Sequence, residues 1–112
     1  MTTKEIWALY STFPSQAEAL SVARMLVEKR LVACANILEN MVSVYRWQGG
    51  IQQEPEVALF AKTTKDNVKA AIEAIKNQHS YQLPCIVAYP VSEGFTPFMQ
   101  WVVNETTGTE AP

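Results

Sequence analysis

Apolar and polar positions along this chain change period several times, and each change marks an element. Ile6–Thr12 is a short, nearly continuous apolar run, the mark of a buried strand. After Pro14, Ser15 and Glu18 form a capping box at the head of a helix. In that helix Ala19, Val22, Ala23, Leu26 and Val27 recur at offsets 0, 3, 4, 7 and 8, one helical face. Leu31–Leu38 returns to strand character, and after Asn40 the chain extends again. Met41–Trp47 and Ile51–Thr63 flank Gly49-Gly50, which predicts a two-residue hairpin turn because glycine reaches positive φ without a Cβ clash. Thr63-Thr64 then caps a second helix, where Val68, Ala71, Ile72 and Ile75 repeat the 0, 3, 4, 7 spacing. Leu83–Val91 reads as a strand bracketed by Pro84 and Pro90, positions where proline costs a ladder little. Thr96-Pro97 supplies an N-cap and a first-turn proline to a third, short helix carrying Phe98, Trp101, Val102 and Glu105.

The order β-α-β-β-α-β plus a C-terminal helix is the split βαβ arrangement: an α+β fold with helices on one face of an antiparallel sheet. One domain is expected over residues 1–105, and a small, polar, unpatterned tail over 106–112. The hairpin is long for such a body. At ~3.3 Å per residue, residues 51–63 span about 43 Å, against a diameter of about 34 Å for a compact chain of this size. The hairpin must therefore bend, curl around the domain, or project toward a partner. Pro55 lacks an N–H in the middle of the second arm, so the arm is expected to bend or bulge there and to pair differently on either side.

Composition narrows the function. At 112 residues the chain buries a core without staples, and its 18% charged content is low enough to suit a surface partly hidden in an oligomer. A net charge of −2 and a pI near 5.3 lack the basic face that nucleic acid requires. No Lys/Arg run addresses an anionic membrane, no signal peptide opens the chain, and no apolar run approaches the ~20 residues of a membrane span. A cytoplasmic protein is expected. Cys34 and Cys85, both with apolar neighbours, read as separate, buried, unreactive thiols.

His79, the sole histidine, is the candidate metal ligand, since imidazole suits copper and zinc. Its structural alternative is an interaction with the C-terminus of the second helix. One chain offers no second histidine, no C-x-x-C and no methionine cluster, so a closed four-ligand site needs other copies. Tyr45, Trp47, Tyr81 and Trp101 are a heavy aromatic complement that suits interface packing, or a cleft between subunits with Lys62 and His79 as its polar groups. Lys62 ends an apolar strand, free to bind an anion, to pair with a carboxylate such as Glu56, or to stand as a solvated strand end. Arg46 alternates to the face opposite Tyr45 and Trp47, suited to an ion pair between subunits. No nucleophile–base order, phosphate loop or paired catalytic carboxylates point to an enzyme.

Taken in order, Thr12-Phe-Pro14, Ala23–Ile37, Ser43–Ile51, Glu56-Val57, Lys62-Thr63, His79–Pro84, Pro90 and Trp101 resemble the CutA-type divalent-cation tolerance proteins over roughly residues 5–103. The resemblance implies a ferredoxin-like fold assembled as a homotrimer in which the long hairpin joins sheets across subunit boundaries. It also implies a role in tolerance of copper or another divalent cation. The family's loop commonly reads His-Pro-Tyr-Glu-x-Pro-Glu, whereas this chain has Gln82 and Cys85 at the two carboxylate positions and Ser80 at the first proline. On this reading the site is His79 for metal, with Trp47, Lys62, Tyr81 and Trp101 around a bound group, and no organic cofactor. The alternatives are a sensor similar to PII signalling proteins that binds a small anionic metabolite through Lys62 with Arg46 or Lys65, and a trimeric scaffold for a protein partner.

Overall fold

The hairpin dominates the shape of the molecule, whose principal extents are 51 × 31 × 22 Å. The structure is a computed structural model describing residues 4–107. Its elements are β1 (Ile6–Phe13), α1 (Gln16–Glu28), β2 (Cys34–Trp47), β3 (Gly50–Thr64), α2 (Val68–Gln78), β4 (Ile86–Val91) and α3 (Thr96–Thr106). The strands form one antiparallel sheet in the order β2-β3-β1-β4. This is the split βαβ fold, with β1 and β3 at its centre.

Helix starts follow capping chemistry, with local differences from expectation. The Ser15 hydroxyl accepts the Glu18 amide at 3.2 Å, closing α1. Ala19, Val22, Ala23 and Leu26 are buried, while Val27 lies past the edge of the apolar stripe and is exposed. Thr64 makes no side-chain cap; the chain instead passes through a single 3₁₀ turn, Lys65–Asn67, before α2. The neighbouring Thr63 hydroxyl donates to the Leu31 carbonyl at 2.7 Å. In α3 Phe95 takes the cap position, so Thr96 is already helical and Pro97 falls in the first turn. Thr106 ends α3 rather than opening a tail, because its side chain is buried and its hydroxyl donates to the Val102 carbonyl at 2.9 Å. Residues 108–112 of the expected tail lie outside the described residues.

Strand alternation sorts the core into two faces. Leu9, Phe13, Leu59 and Ala61, flanked by Ile37, Ile86 and Ala88, pack against α1 and α2. Each fully buried side chain the size of leucine or phenylalanine contributes about 1.5–3 kcal/mol of apolar transfer. α3 docks on the opposite face, where Ile6 and Val91 meet Val102 and Met99. The rest of this outer face is uncovered in a single chain, leaving Leu38 58%, Val87 47% and Tyr89 45% exposed.

Two details of the hairpin depart from the sequence reading. First, Leu31–Leu38 and Met41–Trp47 are not separate strands, since β2 runs unbroken from Cys34 to Trp47. Leu38 pairs with Ala58 and Met41 with Glu56, so β2 carries one extra residue, a β-bulge, with Asn40 at φ 65°. Second, the turn is Gln48-Gly49, with φ of 50° and 85°, closed by the Trp47–Gly50 pair. Positive φ at both central residues is the pattern whose twist matches a hairpin, and it moves Gly50 into the strand. Pro55 sits opposite Val42, and β1 joins β3 only from Val57. Pairing therefore does change beside Pro55, but the bulge is on the facing strand. The cysteines are separate free thiols, as expected, but neither is fully buried: Cys34 is half-buried and Cys85 exposed.

Candidate functional site

The site is built where the loop after α2 crosses the end of β1 and meets the outer face of the hairpin. His79 anchors that loop. Its side chain is fully buried, and its ring stacks on Phe13 at 4.3 Å with planes 13° apart. Nε2 donates to the Thr12 carbonyl at 2.8 Å, and Nδ1 accepts the Tyr81 amide at 3.2 Å. The two partners together dictate the neutral ring protonated at Nε2. Glu18 stands 3.7 Å from Nδ1 and accepts the Ser80 amide at 2.9 Å. At the loop's other end the Ser11 hydroxyl donates to the Cys85 carbonyl at 2.7 Å.

Held at both ends, the loop directs Tyr81 onto the outer face of the hairpin. There the Tyr81 hydroxyl donates to Glu56 Oε2 at 2.7 Å, and the Ser43 hydroxyl donates to Oε1 at 2.6 Å. The bulge makes this geometry. One extra residue in β2 returns Met41, Ser43, Tyr45 and Trp47 to the face of Leu38 and Glu56. A cleft of about 680 Å³ opens between hairpin and loop, lined by Tyr10, Ser43, Tyr45, Trp47, Glu56 and Tyr81. Gln82 and Cys85 also line it.

Among the described residues the cleft is lined by one carboxylate, Glu56, and one guanidinium, Arg46. Burial, and then the hydrogen bond to Glu56, push the Tyr81 hydroxyl well above its ordinary pKa. Burial followed by Cys85 and Glu56 raises Tyr10, and desolvation followed by Glu54 and Glu56 raises Tyr45. The Cys85 thiol is pushed up by burial and by Glu56. Such a thiol carries little thiolate near neutral pH and is a poor nucleophile.

Of the residues selected from sequence, Tyr45, Trp47 and Tyr81 meet in this cleft, and Arg46, expected on the face opposite Tyr45 and Trp47, lines it too. His79 lies behind it, holding the loop, and as placed offers no free ring nitrogen to a metal. Lys62 and Trp101 line other parts of the molecule. Lys62 pairs with Cys34 and Ala8, and from position 56 to position 62 the strand covers about 20 Å. Trp101 packs against Phe98 with ring centres 5.6 Å apart. Glu56, one of the possible partners considered for Lys62, is instead the centre of the Ser43–Tyr81 network. Tyr10, Ser43 and Glu56 were not legible as site residues, since only the register and its bulge bring them together. Among the described residues no group of three His, Cys, Asp or Glu side chains could hold a metal ion, and no helix is long and apolar enough to cross a membrane.

Residues 7–105 match the family described as CutA1 divalent ion tolerance protein. The divalent-cation tolerance protein CutA of Thermus thermophilus is 41% identical over 97 residues, covering 87% of this chain and 93% of that protein. Protein CutA of Mus musculus is 36% identical over 94% of this chain, which spans only 62% of the mouse protein's length. Among solved structures, CutA1 from Ehrlichia chaffeensis superimposes with a TM-score of 0.89 at 37% identity, over 95% of this chain and 99% of that one. A relative from Archaeoglobus fulgidus, described as the periplasmic divalent cation tolerance protein CutA, gives 0.87 at 35% identity, over 90% of this chain and 98% of that one. With sequence match and fold agreeing along nearly its whole length, the chain belongs to the CutA1 divalent ion tolerance family.

Proposed function

We propose that the chain is a non-enzymatic, cytoplasmic homotrimer acting in tolerance of divalent metal, copper included, with the cleft between hairpin and loop as its ligand site at a subunit boundary. The observation that carries this reading is the uncovered outer face. Leu38, Val87, Tyr89 and Trp101 present an apolar surface that a monomer would leave in water. The hairpin adds a second unmet demand, because β3 has a ladder partner on only one side from Gly50 to Glu56. Neighbouring copies answer both. Since one chain gathers no metal cluster among the described residues, copper on this reading takes ligands from more than one copy, with His79 holding the loop in place. The reading as a sensor of small anions has less support: Arg46 lines the cleft, but Lys62 is remote from it and Glu56 lies within it.

Light scattering at micromolar concentration tests the assembly. A mass three times that of the chain is expected, with Tyr89→Asp shifting it to monomer and lowering copper affinity in a calorimetric titration. A monomeric parent protein, or copper affinity unchanged in a monomeric Tyr89→Asp, would overturn the proposal.

A further inference from the structure

We infer that the cleft takes a small organic cation, an alkylated or primary ammonium, with Glu56 as counter-ion and the rings of Tyr45, Trp47 and Tyr81 as its walls. This rests on the reading of the cleft as the ligand site and specifies the chemistry that site selects. Ring faces carry negative quadrupole potential, and an ammonium wrapped in alkyl groups combines charge with an apolar shell. A carboxylate beside several aromatic faces serves both at once. Glu56 is held firmly in position, because each of its oxygens accepts one hydroxyl, from Ser43 at 2.6 Å and Tyr81 at 2.7 Å, leaving a further lone pair on each.

Other ligand classes fit the walls less well. An anion would meet Glu56, with no lysine among the described lining residues and Arg46 as their one basic side chain. A hard divalent ion needs about six oxygen ligands, whereas among the described residues Glu56 is the only carboxylate lining the cleft. Tyr10, Tyr45 and Cys85 are displaced upward first by burial, with Glu56 a further cause for each. The volume of about 680 Å³ accommodates a ligand of several heavy atoms.

The test compares choline with its neutral isostere 3,3-dimethyl-1-butanol on the intact protein at matched ionic strength. Binding is followed through the Trp47 indole resonance and the amides of residues 80–85. Choline is expected to bind at least tenfold more tightly than the alcohol. Glu56→Gln should reduce its affinity about tenfold, and Tyr45→Leu, at an exposed ring, several-fold. Equal binding of choline and the alcohol, or an affinity indifferent to a folded Glu56→Gln, overturns the inference. Citrate and benzoate form the opposing arm. If either shifts the cleft resonances and choline does not, the cation assignment falls while the cleft stands as a ligand site; if no probe of either sign shifts them, both fall.

Discussion

His79 offers the sharpest separation between a metal ligand and a structural residue. Replacing it with alanine removes a ring stacked on Phe13 and orphans the Thr12 carbonyl and the Tyr81 amide. Deleting a buried aromatic of this size costs about 3–5 kcal/mol, and a buried group left without its partner costs roughly 1–3 kcal/mol. These contributions overlap, because a collapsed site also lets water reach the orphaned groups, so about 4 kcal/mol is expected for His79→Ala. His79→Phe keeps the stack and loses only the two hydrogen bonds, for an expected cost of about 2 kcal/mol. Urea unfolding at fixed chain concentration measures both, the concentration being held because the proposed assembly would couple to stability. Copper titration of the folded His79→Phe variant completes the test. A loss of less than about 0.5 kcal/mol in that variant, with copper binding abolished, would refute the structural role and restore the ligand reading.

Two further outcomes follow from the backbone and the tyrosines. Gln48 holds φ 50° at an exposed turn position, so Gln48→Val should lose about 1 kcal/mol in thermal unfolding while Gln48→Asn loses nothing; equal stability of the two would show that the turn relaxes. Because Tyr81 titrates above its ordinary value of 10.0 in the folded chain, the folded state holds its proton longer than the unfolded state does. Its contribution is therefore complete below about pH 10 and lost as pH rises beyond that. Absorbance at 295 nm should show a tyrosine ionising late, absent in Tyr81→Phe, and titration of every tyrosine near pH 10 would contradict the Glu56 bond.

The fold was largely legible because its signals are local. The Ala19–Leu26 and Val68–Ile75 stripes, the Ser15 cap and the existence of the hairpin turn, though placed one residue late, each need only neighbouring residues. What escaped depends on distant ones. A period-2 pattern is continuous only without an insertion, and the extra residue near Asn40 breaks the count, so one strand reads as two. The same missing register hid the meeting of Ser43, Glu56 and Tyr81. His79 was legible as important but not in its role, since nothing local tells that its ring lies under Tyr81 and against Phe13. Lys62 looked like a site residue because strand ends border clefts, but each strand has two ends and the cleft belongs to the other.

The hairpin also sets an order of events. Its arms meet at Trp47 and Gly50 across a two-residue turn, whereas β1 meets β4 from position 6 to position 91. Hairpins close in about 1–10 μs, while long-range pairings wait on chain diffusion and slow folding as contact order grows. The β2–β3 ribbon is thus free to form first and to stand with both edges open until β1 arrives. Even then the stretch from Gly50 to Glu56 keeps one edge unpaired within a single chain. Nascent ribbons from two chains present the same open ladder to one another, so the concentration at which this protein refolds sets how far strand exchange between chains competes with closure of each sheet.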